Sequence, residues 1–96
     1  MAKATETKDY IAAVRFSTGG SWARDPDPDV AVKRCAKITH QDWKHLFKLD
    51  GQKLKVALYD VTGHDEVTIG DDGTWAGEVR IPVLKTVEVI LPGRSK

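Results

Sequence analysis

Residues 25–48 read DPDPDVAVKRCAKITHQDWKHLFK and contain the one segment of the chain with a clear helical period. Asp27 suits the N-cap, Pro28 suits the first helical position, and Asp29 suits the positive end of the helix dipole. The apolar positions support one helix to the end of this segment, although Thr39 could divide it into two shorter pieces. The stretch therefore predicts a capped helix between two other elements.

This predicted helix has an apolar half and a cationic half. At about 100° of rotation per residue, the apolar half-circle holds Ala31, Val32, Cys35, Ala36, Ile38, Trp43, Leu46 and Phe47. The opposite half-circle holds the basic residues Lys33, Arg34, Lys37, His40, Lys44, His45 and Lys48, together with Gln41 and Val30. Because like charges three and four residues apart repel each other, the cationic face indicates an electrostatic partner.

Strand patterns flank the helix on both sides. They cover Asp9–Phe16, Lys53–Val61, Val67–Ile69, Trp75–Ile81 and Thr86–Leu91. The order β-α-β-β-β-β predicts an α+β two-layer sandwich, in which one amphipathic helix packs on a mostly antiparallel sheet of four to five strands. We expect the strands after the helix to form a meander. The other face of the sheet should be solvated, and its residues should be Arg15, Lys55, Tyr59, Glu78, Arg80, Lys85 and Glu88.

Length and composition are those of one small domain. The 96 residues fit a disordered tail at 1–8, a single α+β domain at 9–92 and a short basic tail at 93–96. No apolar run approaches the roughly 20 residues that cross a bilayer, and 1–8 lacks the apolar core of a secretory signal. The single cysteine, Cys35, fits a core position and a reducing compartment. We therefore expect a cytoplasmic protein without a membrane partner.

The net charge of +1 conceals a separation of charge along the chain. Between positions 57 and 79 there is no lysine or arginine, and the acidic residues are Asp60, Asp65, Glu66, Asp71, Asp72 and Glu78. Such asymmetry inside a small domain is a hint of electrostatic recognition. The acidic turns could equally pair with the basic helix, or both could simply be solvated.

No motif of a known catalytic or cofactor site is present, and no family is recognised. His64, Asp65 and Glu66 are adjacent, so their side chains diverge on an extended segment instead of converging on a metal. Asp60, Thr62 and His64 have an every-other-residue spacing that loosely resembles a calcium loop, but the required glycine and terminal glutamate are missing. We predict a hydrogen-bonded turn here, no catalytic residue, no metal and no cofactor.

Trp22 and Arg24 lie outside any periodic pattern, on a stretch that we interpret as an irregular loop. Trp and Arg are favoured anchors of binding sites, although Trp22 could instead fold back onto the core. Trp43 and Trp75 are assigned to packing, because both lie on predicted core faces.

These features predict a small non-enzymatic binding or regulatory domain that recognises an acidic protein surface. The alternative is a nucleic-acid-binding domain that uses the same basic helix, although the acidic turns and the low net charge count against it. The candidate binding residues for both functions are Trp22, Arg24, Lys33, Arg34, Lys37 and Lys44.

Overall fold

One helix and seven strands make up the fold in the computed structural model, which describes residues 8–16, 19–43, 48–70 and 73–93. The elements are β1 (Tyr10–Phe16), β2 (Gly19–Asp25), α1 (Pro28–Trp43), β3 (Lys53–Asp60), β4 (Thr68–Gly70), β5 (Gly73–Ala76), β6 (Val79–Ile81) and β7 (Lys85–Ile90). A four-stranded antiparallel sheet has the order β2-β1-β3-β7, and β4-β5-β6 forms a small second sheet. The predicted α+β class, with one helix on a mostly antiparallel sheet, is confirmed. Of the predicted tails, 1–7 and 94–96 lie outside the described residues.

The helix begins where the sequence predicts. Asp27 Oδ1 accepts hydrogen bonds from the backbone N–H of Asp29 at 2.9 Å and of Val30 at 3.4 Å. The carbonyl oxygen of Asp27 accepts the first helical bond, from Ala31 N at 3.0 Å. Because the first N–H groups of a helix have no partner within it, these bonds stabilise the helix start and confirm the N-cap prediction.

The apolar half of α1 packs on the sheet as predicted. Its buried residues are Ala31, Val32, Cys35, Ala36 and Thr39, with Ile38 and Trp43 partly buried beside them. Thr39 does not divide the helix, which continues to Trp43. Its hydroxyl donates to the carbonyl oxygen of Cys35 one turn back, at 2.7 Å. Residues 44–47, which include two predicted core positions, lie outside the described residues. Within the described ranges, no helix has the length and apolar character that crossing a bilayer requires.

The stretch predicted to be an irregular loop is the edge strand β2, so this prediction is wrong. β2 pairs with β1 along its whole length. Ser21 and Ala23 are buried toward the helix, whereas Trp22 and Arg24 alternate with them and point to the opposite side of the sheet. Hydrophobic patterning misses this strand because its inward side chains are small rather than strongly apolar.

The chain leaves the four-stranded sheet after β3, so the predicted meander is wrong: β3 pairs with β7 and not with β4. The strand predicted from Trp75 to Ile81 is a hairpin of β5 and β6 that turns at Gly77, where φ is +61°. Thr74 and Ile81 are buried, whereas Trp75 lies on the outer face of the small sheet. The guanidinium carbon of Arg80 lies 6.0 Å from the centroid of the Trp75 ring. The assignment of Trp75 to the core is therefore also wrong.

Two apolar clusters lie on opposite faces of the four-stranded sheet. One lies under α1 and includes Val56, and the other lies under the small sheet and includes Ile11 and Tyr59. The prediction of a solvated second face is wrong for Tyr59, which is only 2% exposed. It is also wrong for Arg15, whose guanidinium bonds to Gly70 and Thr74 of the small sheet, and it is correct for Lys55 and Glu88, which are exposed.

Candidate binding surfaces

The candidate residues divide between two surfaces that the four-stranded sheet separates. Three of them are exposed on the outer side of α1, namely Lys33, Arg34 and Lys37. Trp22 and Arg24 extend from β2 on the face opposite the helix. Lys44 lies outside the described residues. The structure therefore does not bring the basic helix face and the Trp/Arg pair into one site.

Part of the basic face is paired within the fold. Arg34 Nη1 lies 3.2 Å from Asp25 Oδ2, at the end of β2. His40 Nε2 lies 2.6 Å from Asp50 Oδ1, in the turn that precedes β3. These contacts tie α1 to the segments on either side of it, so Arg34 and His40 are less available to a partner than their exposure on a helical wheel indicates.

Lys33 and Lys37 differ from these two residues, because neither forms an ion pair within the described part of the chain. They lie one helical turn apart, at the rim of a groove of about 350 Å³ between α1 and β7. We call it the α1–β7 groove. Its other lining residues are His40, Ala36, Val89, Ile90, Leu91 and Pro92. The groove thus combines a largely apolar floor with two cations that form no ion pair within the described residues.

One wall of this groove is an open sheet edge. β7 pairs only with β3, and no strand of the described chain lies on its other side. Leu91 N donates to the carbonyl oxygen of Gln52 at 2.9 Å, in register with the β3–β7 ladder. Because ladder bonds alternate along a strand, the backbone groups of Glu88 and Ile90 face the open edge.

The candidate residues identified from the sequence include no residue of β7, which lies at the edge of the sheet. An edge is defined by the order of strands in the sheet, which the local residue pattern does not encode. One signal was available: Ile90 is a large apolar residue on the predicted polar side of its strand. In the structure its side chain is 70% exposed.

Arg24 is held by contacts within the fold. Its Nε and Nη2 lie 2.8 Å and 2.6 Å from Asp9 Oδ2. Its terminal nitrogens also donate to the carbonyl oxygens of His64, at 2.5 Å, and Asp65, at 3.3 Å. Arg24 thus joins β2 to the start of β1 and to the loop after β3. Trp22, two residues earlier, is 50% exposed.

The loop after β3 is a hydrogen-bonded turn, as predicted. Asp60 Oδ1 accepts a bond from Thr62 N at 3.0 Å, and His64 N donates to the carbonyl oxygen of Val61 at 3.0 Å. Hydrogen bonds from the side chain and the backbone of Thr62 lower the pKa of the Asp60 carboxyl, because they stabilise its charged form. Among the described residues, no three His, Cys, Asp or Glu side chains are grouped so that they could hold a metal ion.

Cys35 is a core residue, as predicted. Its side chain is fully buried, and its thiol donates to the carbonyl oxygen of Ser21 across a 3.7 Å distance. Burial raises the pKa of the thiol from 9.0 to about 11, against the opposing effect of a hydrogen bond with Thr39. The thiol is therefore protonated at neutral pH, which is the unreactive form.

The described acidic turns and the basic face of α1 lie on opposite sides of the four-stranded sheet. The helix packs on one face, and the segment from β4 to β6 packs on the other. Asp65, Glu66 and Glu78 are exposed, and none of them pairs with Lys33 or Lys37. No described acidic residue therefore forms an ion pair with either lysine.

Comparison with models of known protein families, with curated proteins and with solved structures gives no match to this chain.

Proposed function

We propose that this protein is a non-enzymatic recognition domain of the cytoplasm that binds an extended, acidic segment of a partner protein in the α1–β7 groove. The segment adds to the open edge of β7 as a further strand, and its acidic side chains pair with Lys33 and Lys37. The observation that carries the proposal is the position of these two unpaired cations beside an open strand edge.

The edge supplies the main-chain part of the recognition. The N–H and C=O groups of Glu88 and Ile90 point away from β3 and are placed to bond an incoming strand. Addition of a strand to an exposed edge is a recurring mode of peptide recognition, in which backbone bonds contribute affinity and side-chain pockets contribute specificity. An open edge in a soluble domain otherwise favours uncontrolled pairing with other chains.

The groove supplies the side-chain part. On an added strand, alternate side chains would face α1, where Ala36, Val89 and Leu91 offer apolar contact. Lys33 and Lys37 stand at the rim of that surface, about 5–6 Å apart at Cβ. The favoured partner is therefore an unstructured segment in which apolar and acidic residues lie close together.

The chemistry of the groove favours a protein over a nucleic acid. A nucleic acid presents a continuous row of phosphates and is bound by a broad basic surface. Here Arg34 and His40 are each paired with an aspartate, and the two remaining lysines flank an apolar floor. A short acidic segment matches this arrangement better than a phosphate backbone.

Selection from a phage-displayed library of random nonapeptides tests the proposal, because the library samples many candidate partner segments at once. Recovered peptides should combine apolar and acidic residues, and their affinity can be measured by fluorescence anisotropy. Lys37→Glu should weaken binding about tenfold, which is the loss of one ion pair of about 1.4 kcal/mol. Lys8→Glu is the control, because it makes the same change in net charge far from the groove. Lys8 precedes β1 and lies near the Asp60 end of β3, whereas the groove lies near the Lys53 end. This variant should leave the affinity within about twofold.

A single proline substitution in β7 separates strand addition from simple charge attraction. Ile90→Pro removes an N–H that faces the open edge, so it should abolish peptide binding while the ladder to β3 remains. Unchanged binding by this variant would exclude strand addition.

Affinity for duplex DNA that falls steeply and linearly with log salt would instead support the nucleic-acid alternative. Loss of more than about 1 kcal/mol of stability in Lys37→Glu would show a structural role for the lysine.

A further inference from the structure

A second pocket lies on the opposite side of the four-stranded sheet from the α1–β7 groove. It opens between the start of β2 and the edge strand β4 of the small sheet and has a volume of about 270 Å³. We call it the β2–β4 cleft. The residues that bear on its chemistry are Arg15, Trp22 and Ile69. Ligand pockets start at about 300 Å³, so the size fits only a small molecule.

Arg15 brings a positive charge to this cleft. Its Nε donates to the carbonyl oxygen of Gly70 at 2.7 Å, its Nη1 to Tyr59 Oη at 3.0 Å, and its Nη2 to Thr74 Oγ1 at 3.2 Å. A guanidinium has five N–H donors, so three of them are used. Each terminal nitrogen keeps one N–H, and these two groups can still bind an acceptor.

The partners of Arg15 differ in charge from those of the other paired arginines. Arg24 and Arg34 each lie against an aspartate. All three acceptors of Arg15 are neutral, and no carboxylate among the described residues lies within ion-pair distance of it. A cation that is partly withdrawn from water is stabilised by an opposite charge. The cleft therefore favours an anionic ligand.

Trp22 adds an aromatic surface to the same cleft. It lies on β2, on the face of the sheet that carries Arg15, and its side chain is half exposed. Ile69 of β4 lines the cleft across from it. A flat ring could contact Trp22 and Ile69 together, in the stacked or tilted geometries that aromatic pairs adopt.

We propose that the β2–β4 cleft binds a small aromatic monocarboxylate. The carboxylate accepts the two remaining N–H groups of Arg15, and the ring packs against Trp22. A planar carboxylate matches the fork of a guanidinium, and its single charge equals that of the only cation among the described lining residues. The cleft and the α1–β7 groove share no lining residue, so this inference is independent of the proposed function.

Benzoate and benzamide form a matched pair of probes, because they have the same shape and differ in charge. The experiment is a titration of isotope-labelled protein followed by amide chemical shifts, at constant ionic strength. Benzoate should shift the Trp22 indole N–H and the amides of Arg15 and Gly70 saturably, with a dissociation constant of a few millimolar. Benzamide should bind at least fivefold more weakly, because it cannot neutralise Arg15.

Two variants locate the binding in the cleft. Trp22→Ala should weaken benzoate binding at least threefold while the melting temperature stays within about 3 °C of the parent, because Trp22 is half exposed. Lys37→Glu, in the other groove, should bind benzoate with unchanged affinity. The proposal is overturned by any one of three results: no saturation up to 50 mM benzoate, equal affinity for benzamide, or undiminished binding by Trp22→Ala.

Discussion

The two edge strands of the four-stranded sheet are protected to different degrees. β2 is held from both sides: Ser21 and Asp25 contact α1 on one face, and Arg24 joins the loop after β3 on the other. β7 is held by its backbone ladder to β3, and none of its residues makes a described side-chain hydrogen bond or ion pair. The helix packs mainly on β1 and β2 and only marginally on β7.

The two edges therefore differ in the side-chain contacts that hold their strands, although neither has a further strand of the described chain beside it. Exposed edges are usually blunted by charge, by irregular backbone or by a covering element. β2 has α1 on one face and the loop after β3 on the other. The helix makes few contacts with β7, which leaves the α1–β7 groove open with Lys33 and Lys37 at its rim. The contacts of β2 should contribute to stability, whereas the edge of β7 is the one that we propose for recognition.

The largest expected effect comes from removing the side chain that holds β2. Trp43 Nε1 donates to Ser21 Oγ at 3.0 Å, and its ring lies 5.0 Å from the ring of Phe16. The same ring occupies the space beside Gly19, where an added Cβ would lie 3.0 Å from it. Trp43→Ala should therefore lower the free energy of unfolding by about 3 kcal/mol in urea denaturation.

Trp43→Phe separates the two contributions of this side chain. It keeps an aromatic ring beside Phe16 but loses the bond to Ser21, so a cost of about 1 kcal/mol is expected. A cost below 1 kcal/mol for Trp43→Ala would show that the helix does not secure β2, and the comparison between the two edges would fail.

The next effect is a pH dependence at the contact between α1 and β2, where the Cys35 thiol donates to the carbonyl oxygen of Ser21. The thiol of Cys35 has a raised pKa of about 11 in the folded protein and an ordinary value of 9.0 when unfolded. Between these values the unfolded state binds fewer protons than the folded state, so stability falls as pH rises. The loss should begin near pH 9 and reach about 2–3 kcal/mol by pH 11, by conversion of the pKa difference.

Cys35→Ala is the control for this pH dependence, because other groups also titrate in alkaline solution. Unfolding curves of both proteins are compared at each pH from 8 to 11. The difference between them should change by the stated amount, with the parent losing stability faster. Parallel curves would mean that the thiol titrates normally and that the contact between α1 and β2 admits water.

The smallest effect concerns Arg24. Arg24→Ala removes the contacts to Asp9 and to the loop at His64 and Asp65, and should cost about 1 kcal/mol, because the pair is about one-third exposed and partly screened. Hydrogen exchange in that loop should accelerate. The matched change at the open edge, Ile90→Ala, should stay within about 0.5 kcal/mol. Equal costs at both edges would contradict the difference in protection.

Much of the helix could be predicted from its own residues. The cap at Asp27 and the inward positions of Val32 and Cys35 follow from propensity and period, which act over one or two turns. The candidate site could be predicted only in part. Charge identifies Lys33 and Lys37 but not their neighbours on β7, because the groove forms between segments about 50 residues apart in the sequence.

The sequence by itself determined the α+β class, the capped amphipathic helix, the turn after β3 and the core position of Cys35, because each depends on side-chain pattern within a short segment. Only the tertiary structure decided which strands lie at the edges, that β2 is a strand, that Arg34 is compensated by Asp25, and that Arg15 lies between the two sheets with neutral partners. Strand order and charge pairing depend on contacts between distant segments, and local periodicity contains no information about which segments meet.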